Sequence, residues 1–168
     1  TIESAPMPVT LRVDLDSDSG ELLIYPYAVL PYAREGELPL FLVNGRRGLI
    51  LANGHLWPMK NVLPLPYHSI YRQDEIVTRD RVIHFLRRDL PHLRSLIQVE
   101  LELEPDLFAV KPGIPAFHLE LQGSGASLRA TVTAVYGSHR VAATQPDTEA
   151  EFAQPDPTDI LAYQTRNL

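Results

Sequence analysis

Two runs of strict alternation flank a glycine-rich turn between Pro115 and Gly137, and they constrain this chain more than any other stretch. Phe117, Leu119 and Leu121 alternate with His118, Glu120 and Gln122. After Gly123-Ser124-Gly125, Leu128, Ala130, Val132, Ala134 and Tyr136 alternate with Arg129, Thr131 and Thr133. A period of two belongs to a strand, and two such runs around a short Gly-containing turn predict a β-hairpin with one face inward and one outward. Fifteen prolines reinforce the expectation of short elements, because proline removes a backbone donor and breaks helices.

Other hairpins follow the same logic. Val9, Leu11, Val13 and Leu15 alternate with polar residues, and Asp16-Ser17-Asp18-Ser19-Gly20 turns the chain into an apolar run from Glu21 to Leu30. Asp14, Asp16 and Asp18 open like a calcium loop. However, Ser19 stands where the loop needs glycine and Tyr25 where it needs a bidentate glutamate, so this reads as an ordinary acidic turn. Leu38–Val43, Leu49–Ala52 and His55–Met59 are separated by segments containing Asn44-Gly45 and Asn53-Gly54, residue pairs that supply the positive φ of tight hairpins. Trp57 is expected in the core.

One helix is predicted. Val82, Phe85, Leu86, Leu90 and Leu93 recur at helical spacing, with Arg81, His84, Arg87 and Arg88 directed elsewhere. Thr78 or Asp80 is placed to cap its start, and Pro91 to limit or kink it. Ile97, Val99, Leu101 and Leu103 then alternate with Gln98, Glu100, Glu102 and Glu104, predicting a strand with an acidic face. The expected fold is α+β: mainly antiparallel sheet built from hairpins, with one principal helix packed on a sheet face. Residues 1–144 read as a strand-rich domain. Residues 145–168 are acidic and proline-punctuated and read as an arm or linker. A chain of 168 residues can bury roughly 70% of its unfolded surface, enough for a sizeable core.

There is no cysteine, and therefore no disulfide, thiolate ligand or thiol nucleophile. Lys60 and Lys111 are the two lysines and neither follows glycine, so no phosphate-binding P-loop is present. The six histidines include no pair four residues apart that would share a metal on a helix. His118 and Glu120 share a strand face and are the nominees for a small-ligand or hydrolytic site, although an outward polar face is the simpler reading. No catalytic, cofactor-binding or metal residue is assigned. A net charge of −6 disfavours polyphosphate, yet Arg79, Arg81, Arg87 and Arg88 cluster on the helix as candidate contacts for nucleic acid or another domain. No apolar run spans a bilayer and no secretion signal opens the chain, so a cytoplasmic protein without a membrane partner is expected.

The hairpin and its sequel resemble the region upstream of the motor in bacterial SWI/SNF-type helicases, the HepA-like ATPases. The resemblance rests on Leu119-Glu120-Leu121-Gln122-Gly123, the apolar alternation from Leu128 to Ala134, Tyr136-Gly137, Pro155-Asp156-Pro157 and the closing Thr165-Arg166-Asn167-Leu168. Gln122 departs from the family's usual glutamate. The similarity covers about the last third and is loose before it, where a helix ends in Leu90-Pro91-His92-Leu93. It implies that the intact protein is a DNA-dependent ATPase of helicase superfamily two and that this chain is a non-catalytic accessory piece. By the same implication, ATP and Mg belong to motor domains outside the chain. Those domains of the same polypeptide would be its partners, with DNA reached through the intact protein. A start at Thr1 and an end at Leu168 fit a segment of a longer protein. An independent nucleic-acid-binding or small-ligand-binding β-rich domain is the alternative.

Overall fold

The computed structural model describes residues 1–32, 34, 36–104, 106–136, 139–142 and 153–165, and divides the chain into two compact units, 1–105 and 106–168. The fold is α+β, rich in antiparallel sheet, with one main helix. A boundary at residue 144 lies outside the described residues.

The first unit opens with the expected hairpin. Strands β1 (Thr10–Leu15) and β2 (Leu22–Tyr27) pair antiparallel from Thr10↔Tyr27 to Leu15↔Leu22. The acidic turn between them is held locally: the Asp18 N–H donates to Asp16 Oδ1 at 2.9 Å and the Ser19 hydroxyl to Asp16 Oδ2 at 2.9 Å. A meander follows, formed by β3 (Leu40–Asn44), β4 (Arg47–Ala52) and β5 (His55–Pro58). Asn53 and Gly54 have φ of 47° and 73°, the left-handed pair that a two-residue turn needs to match the twist of its strands. Trp57 is 1% exposed and fills the core as expected, beside the buried Phe41 and Ile50 that face inward on the same sheet.

β6 (Glu75–Val77) and β7 (Val99–Leu101) complete a four-stranded sheet in the order β6-β2-β1-β7. β7 runs parallel to β1, a pairing that local alternation does not announce. Pro26 is tolerated in β2 because β6 covers only Leu22–Ile24, leaving Pro26 where that side of the strand has no ladder partner. Leu11, Val13, Leu22 and Ile24 point into the core from this sheet.

Irregular backbone is satisfied by side chains. Asn61 accepts from the Val9 N–H at 3.0 Å and donates to the Val9 carbonyl at 2.9 Å. Next to Pro64, the buried Leu63 N–H donates to the Tyr71 hydroxyl at 3.0 Å, and His68 Nε2 lies 2.8 Å from the Leu63 carbonyl oxygen. A carbonyl can only accept, so that nitrogen carries the proton, and buried His68 serves the backbone.

The helix runs from a 3-10 turn at Arg79–Arg81 through α turns at Val82–His84 and Leu90–Leu96, with a π segment at Phe85–Asp89 between them. Val82, Ile83, Phe85, Leu90 and Leu93 are buried, whereas Leu86 is partly exposed. Pro91 neither ends nor breaks it. Proline cannot donate to the carbonyl four residues back and its ring crowds that carbonyl, and the wider π turn directly before it accommodates both restrictions. Thr78 occupies the start without a side-chain capping bond.

Among the described residues the second unit holds two three-stranded sheets. β8 (Ala109–Pro112) leads into β9 (Ala116–Ser124) and β10 (Ser127–Tyr136), which form the predicted long hairpin, with β11 (His139–Ala142) beside β10. β12 (Ala153–Pro155) and β13 (Ala162–Thr165) build the other sheet, in which β13 runs parallel to β8. Ala153–Pro155 and Ala162–Thr165, read from composition as part of an arm or linker, are therefore sheet strands. Tyr163, 1% exposed and edge-on to Phe108 at 5.8 Å, anchors them.

Gly113 is confined between these elements. Its N–H donates to the Thr165 carbonyl at 2.7 Å, and an added Cβ would lie 2.9 Å from the Tyr136 ring and 3.0 Å from that same backbone oxygen. Gly113→Ala is expected to destabilise the chain by about 1–3 kcal/mol in denaturant unfolding. The acidic turn gives a second expectation. The amide of Asp18, and then the Ser19 hydroxyl, hold the Asp16 carboxyl below its ordinary value of 3.8. Its stabilisation is complete above that value and lost as pH falls through the lower folded one, so Asp16→Ala should flatten the acid limb of the stability curve.

Candidate functional site

The β9–β10 hairpin presents the most distinctive surface. All nine residues of β9 and the first six of β10, Ser127–Val132, are exposed, so the distal part of the hairpin is a two-stranded arm open to solvent on both faces. Ladder register fixes what shares each face. Phe117 pairs with Ala134, Leu119 with Val132, Leu121 with Ala130 and Gly123 with Leu128, which sets the apolar side chains in one stripe. Phe117, Leu119, Leu121 and Leu128 are 63%, 62%, 57% and 74% exposed. Only at the base, at Ala134 and Tyr136, does that face become buried.

The inward-facing expectation for this hairpin is thereby corrected. Alternation shows that a face is suited to burial; whether the chain supplies a cover is a separate matter. The opposite face pairs His118 with Thr133, Glu120 with Thr131 and Gln122 with Arg129. His118 and Glu120 do share a face, but both are exposed, and Glu120 accepts from Gln122 Nε2 at 2.8 Å.

The arginine cluster sits on the outer side of the helix. Arg81, Arg87 and Arg88 are exposed and Arg79 is partly buried in the first turn. Arg87 and Arg88 fall in the π segment, and His84 Nε2 lies 4.0 Å from Asp89 Oδ1. Arg79 and Arg88 make further interactions of their own.

A third group, not anticipated from sequence, joins β1, β2 and β7. Arg12 Nε donates to Glu100 Oε2 at 3.0 Å while its guanidinium carbon lies 3.4 Å from the centre of the Tyr27 ring. The Glu100 hydrogen bond raises the Arg12 pKa. Tyr25 donates to Asp14 Oδ2 at 2.6 Å, and that bond raises the phenol pKa. The acidic face predicted for β7 is thus partly neutralised by an arginine 88 positions earlier in the chain.

Beside this network lies an open cleft of about 430 Å³ lined by Leu23, Tyr25, Leu40, Phe41, Ile70 and Arg72, with Asp14 and Asp74 also contributing. Its lining offers carboxylates, phenols and one guanidinium but no histidine or serine. Among the described residues no group of three or more His, Asp or Glu is arranged to hold a metal ion, and no helix is long and apolar enough to cross a membrane.

The arm and the core predict opposite responses to truncation. At low protein concentration, Leu121→Ser should change unfolding stability by less than about 0.5 kcal/mol, because an exposed side chain leaves no cavity. Leu11→Ala, at a fully buried position, should cost about 2–5 kcal/mol by the same assay.

Comparison of the chain with protein-family models, curated proteins and solved structures found no match.

Proposed function

We propose that the chain is a non-catalytic accessory domain of a bacterial SWI/SNF-family DNA-dependent ATPase and acts through protein or domain contacts made by the β9–β10 arm. The observation that carries this reading is the uncovered stripe of Phe117, Leu119, Leu121, Leu128 and Val132. A contiguous apolar patch of this kind is unusual on a protein that works alone and marks a surface that meets another molecule. Leu119 to Gly123 and Leu128 to Ala134 are also among the residues on which the resemblance to the HepA-like ATPases rests. In this reading ATP and Mg bind in motor domains of the same polypeptide, and the arm positions or regulates them.

The chemistry of the arm favours protein over nucleic acid. Its polar face carries a single arginine, Arg129, whereas affinity for phosphate backbones is built on several cations. The second reading, nucleic-acid contact through the helix, has in its favour the exposure of Arg81, Arg87 and Arg88 on one side of that element.

One experiment on the intact ATPase separates the two. Leu119→Glu combined with Leu121→Glu is expected to lower DNA-stimulated ATPase activity or partner capture several-fold, with DNA affinity retained. Arg87→Ala combined with Arg88→Ala is expected to leave all three unchanged. Unaltered ATPase rate, DNA affinity and partner binding in the arm variant would overturn the proposal. Salt-dependent loss of DNA binding in the arginine variant would move the function to the helix.

A further inference from the structure

The arm offers an edge as well as a face. The sheet order is β11-β10-β9, and among the described residues β9 pairs with β10 alone, so its outer backbone edge is open. At nine residues it is about 30 Å long. Other strands at sheet edges are shorter: β6, β7 and β12 have three residues each, β5, β8 and β11 have four, and β3 has five. Natural edges are guarded by shortness, lysine, proline or a bulge. None of these guards β9: it contains neither lysine nor proline, and it pairs one-to-one with β10 from Ala116↔Val135 to Ser124↔Ser127.

The sequence of β9 is also complementary to itself. In an antiparallel pair, directly opposed residues share a face, so a two-fold axis through Leu119 opposes Leu119 with its own copy. That register sets Phe117 against Leu121 and His118 against Glu120, each twice. Moving the axis one residue to Glu120 sets two carboxylates against each other, and moving it to His118 sets Phe117 against Leu119 but Ala116 against Glu120, an apolar residue against a charge. Like charges in directly opposed positions destabilise a pair, whereas apolar and opposite-charge pairs stabilise it. A centre between Leu119 and Glu120 would oppose residues from opposite faces, which the pleat of a regular pair forbids.

We propose that β9 is a self-association site, at which a second copy of this chain adds antiparallel across a two-fold axis through Leu119. Pairing joins two three-stranded sheets into one six-stranded sheet, leaves no open β9 edge and merges the two apolar stripes on one side. The inference rests on the reading of the arm as a protein-contact surface, and names one occupant of it.

The absence of cysteine makes the register directly measurable, because Leu119→Cys introduces the sole thiol. Opposed Cβ atoms in such a pair are about 4.5–5.5 Å apart, close to what a disulfide bridges. The 168-residue chain is expected to sediment as a dimer at concentrations up to about 100 μM, well above a micromolar dissociation constant. Under mild oxidation Leu119→Cys should give covalent dimer several-fold faster than Glu120→Cys. A mixture of His118→Cys and Glu120→Cys chains should form the mixed dimer preferentially. Leu119→Lys, at an exposed position, should give monomer with unchanged circular dichroism.

A chain that remains monomeric throughout this range, or a dimer in which Glu120→Cys cross-links as fast as Leu119→Cys, overturns the inference. If the wild-type chain is monomeric while the Leu119→Glu, Leu121→Glu variant still impairs the ATPase, self-association falls and the accessory role stands. A register-specific dimer whose disruption leaves ATPase rate and partner binding untouched supports self-association and removes the accessory role.

Discussion

Strand β1 is hydrogen-bonded on both sides, and the first unit depends on that double engagement. Its antiparallel partner β2 follows it immediately, whereas its parallel partner β7 arrives only after the meander and the helix have been completed. The Leu11 N–H donates to the Gln98 carbonyl at 2.9 Å, just after the helix ends. Closing that connection therefore requires the intervening elements to be packed. Asn61 extends the arrangement by bonding both polar backbone groups of Val9, just before β1, in place of a strand. Pairing a backbone group costs little where the sequence is regular. Where proline interrupts it, a side chain must do the pairing, because a buried unsatisfied group costs about 1–3 kcal/mol.

Local pattern made some elements legible. The β1–β2 and β9–β10 hairpins follow from alternation around turn residues, the Asn53-Gly54 turn from its dipeptide, and the position of Trp57 from its place in a short strand. Other features depend on partners far along the chain. Nothing in Val99–Leu101 specifies β1 as its neighbour, and Ala162–Thr165 gives no sign of pairing with Ala109–Pro112. Strands of three or four residues are too short to display a period, so the acidity and prolines around β12 and β13 outweighed Tyr163 as a core signal. The same limit applied to the candidate sites. Exposure of Arg81, Arg87 and Arg88 followed from helical phase, but the partial burial of Arg79, the Arg12–Glu100 pair and the uncovered side of the arm depended on tertiary placement.

Charge is distributed unevenly over these elements. The chain carries a net charge of −6, yet the arm shows only Glu120, Arg129 and a histidine on its polar face, while the helix exposes Arg81, Arg87 and Arg88. A nearly neutral arm has little long-range attraction or repulsion for an incoming surface, so contacts there form through short-range apolar burial and backbone pairing. Encounter through the helix would instead be steered by charge and weaken with salt. The two surfaces therefore differ in the physics of association as well as in composition.

The open arm also alters the energetics of the whole chain. Heat capacity of unfolding and denaturant sensitivity both scale with surface that is hidden in the native state and revealed on unfolding. Residues 116–124 and 127–132 are already hydrated when folded and add little to either quantity. As a monomer the protein should consequently behave calorimetrically like a shorter chain, with a flatter stability curve than 168 residues would otherwise give.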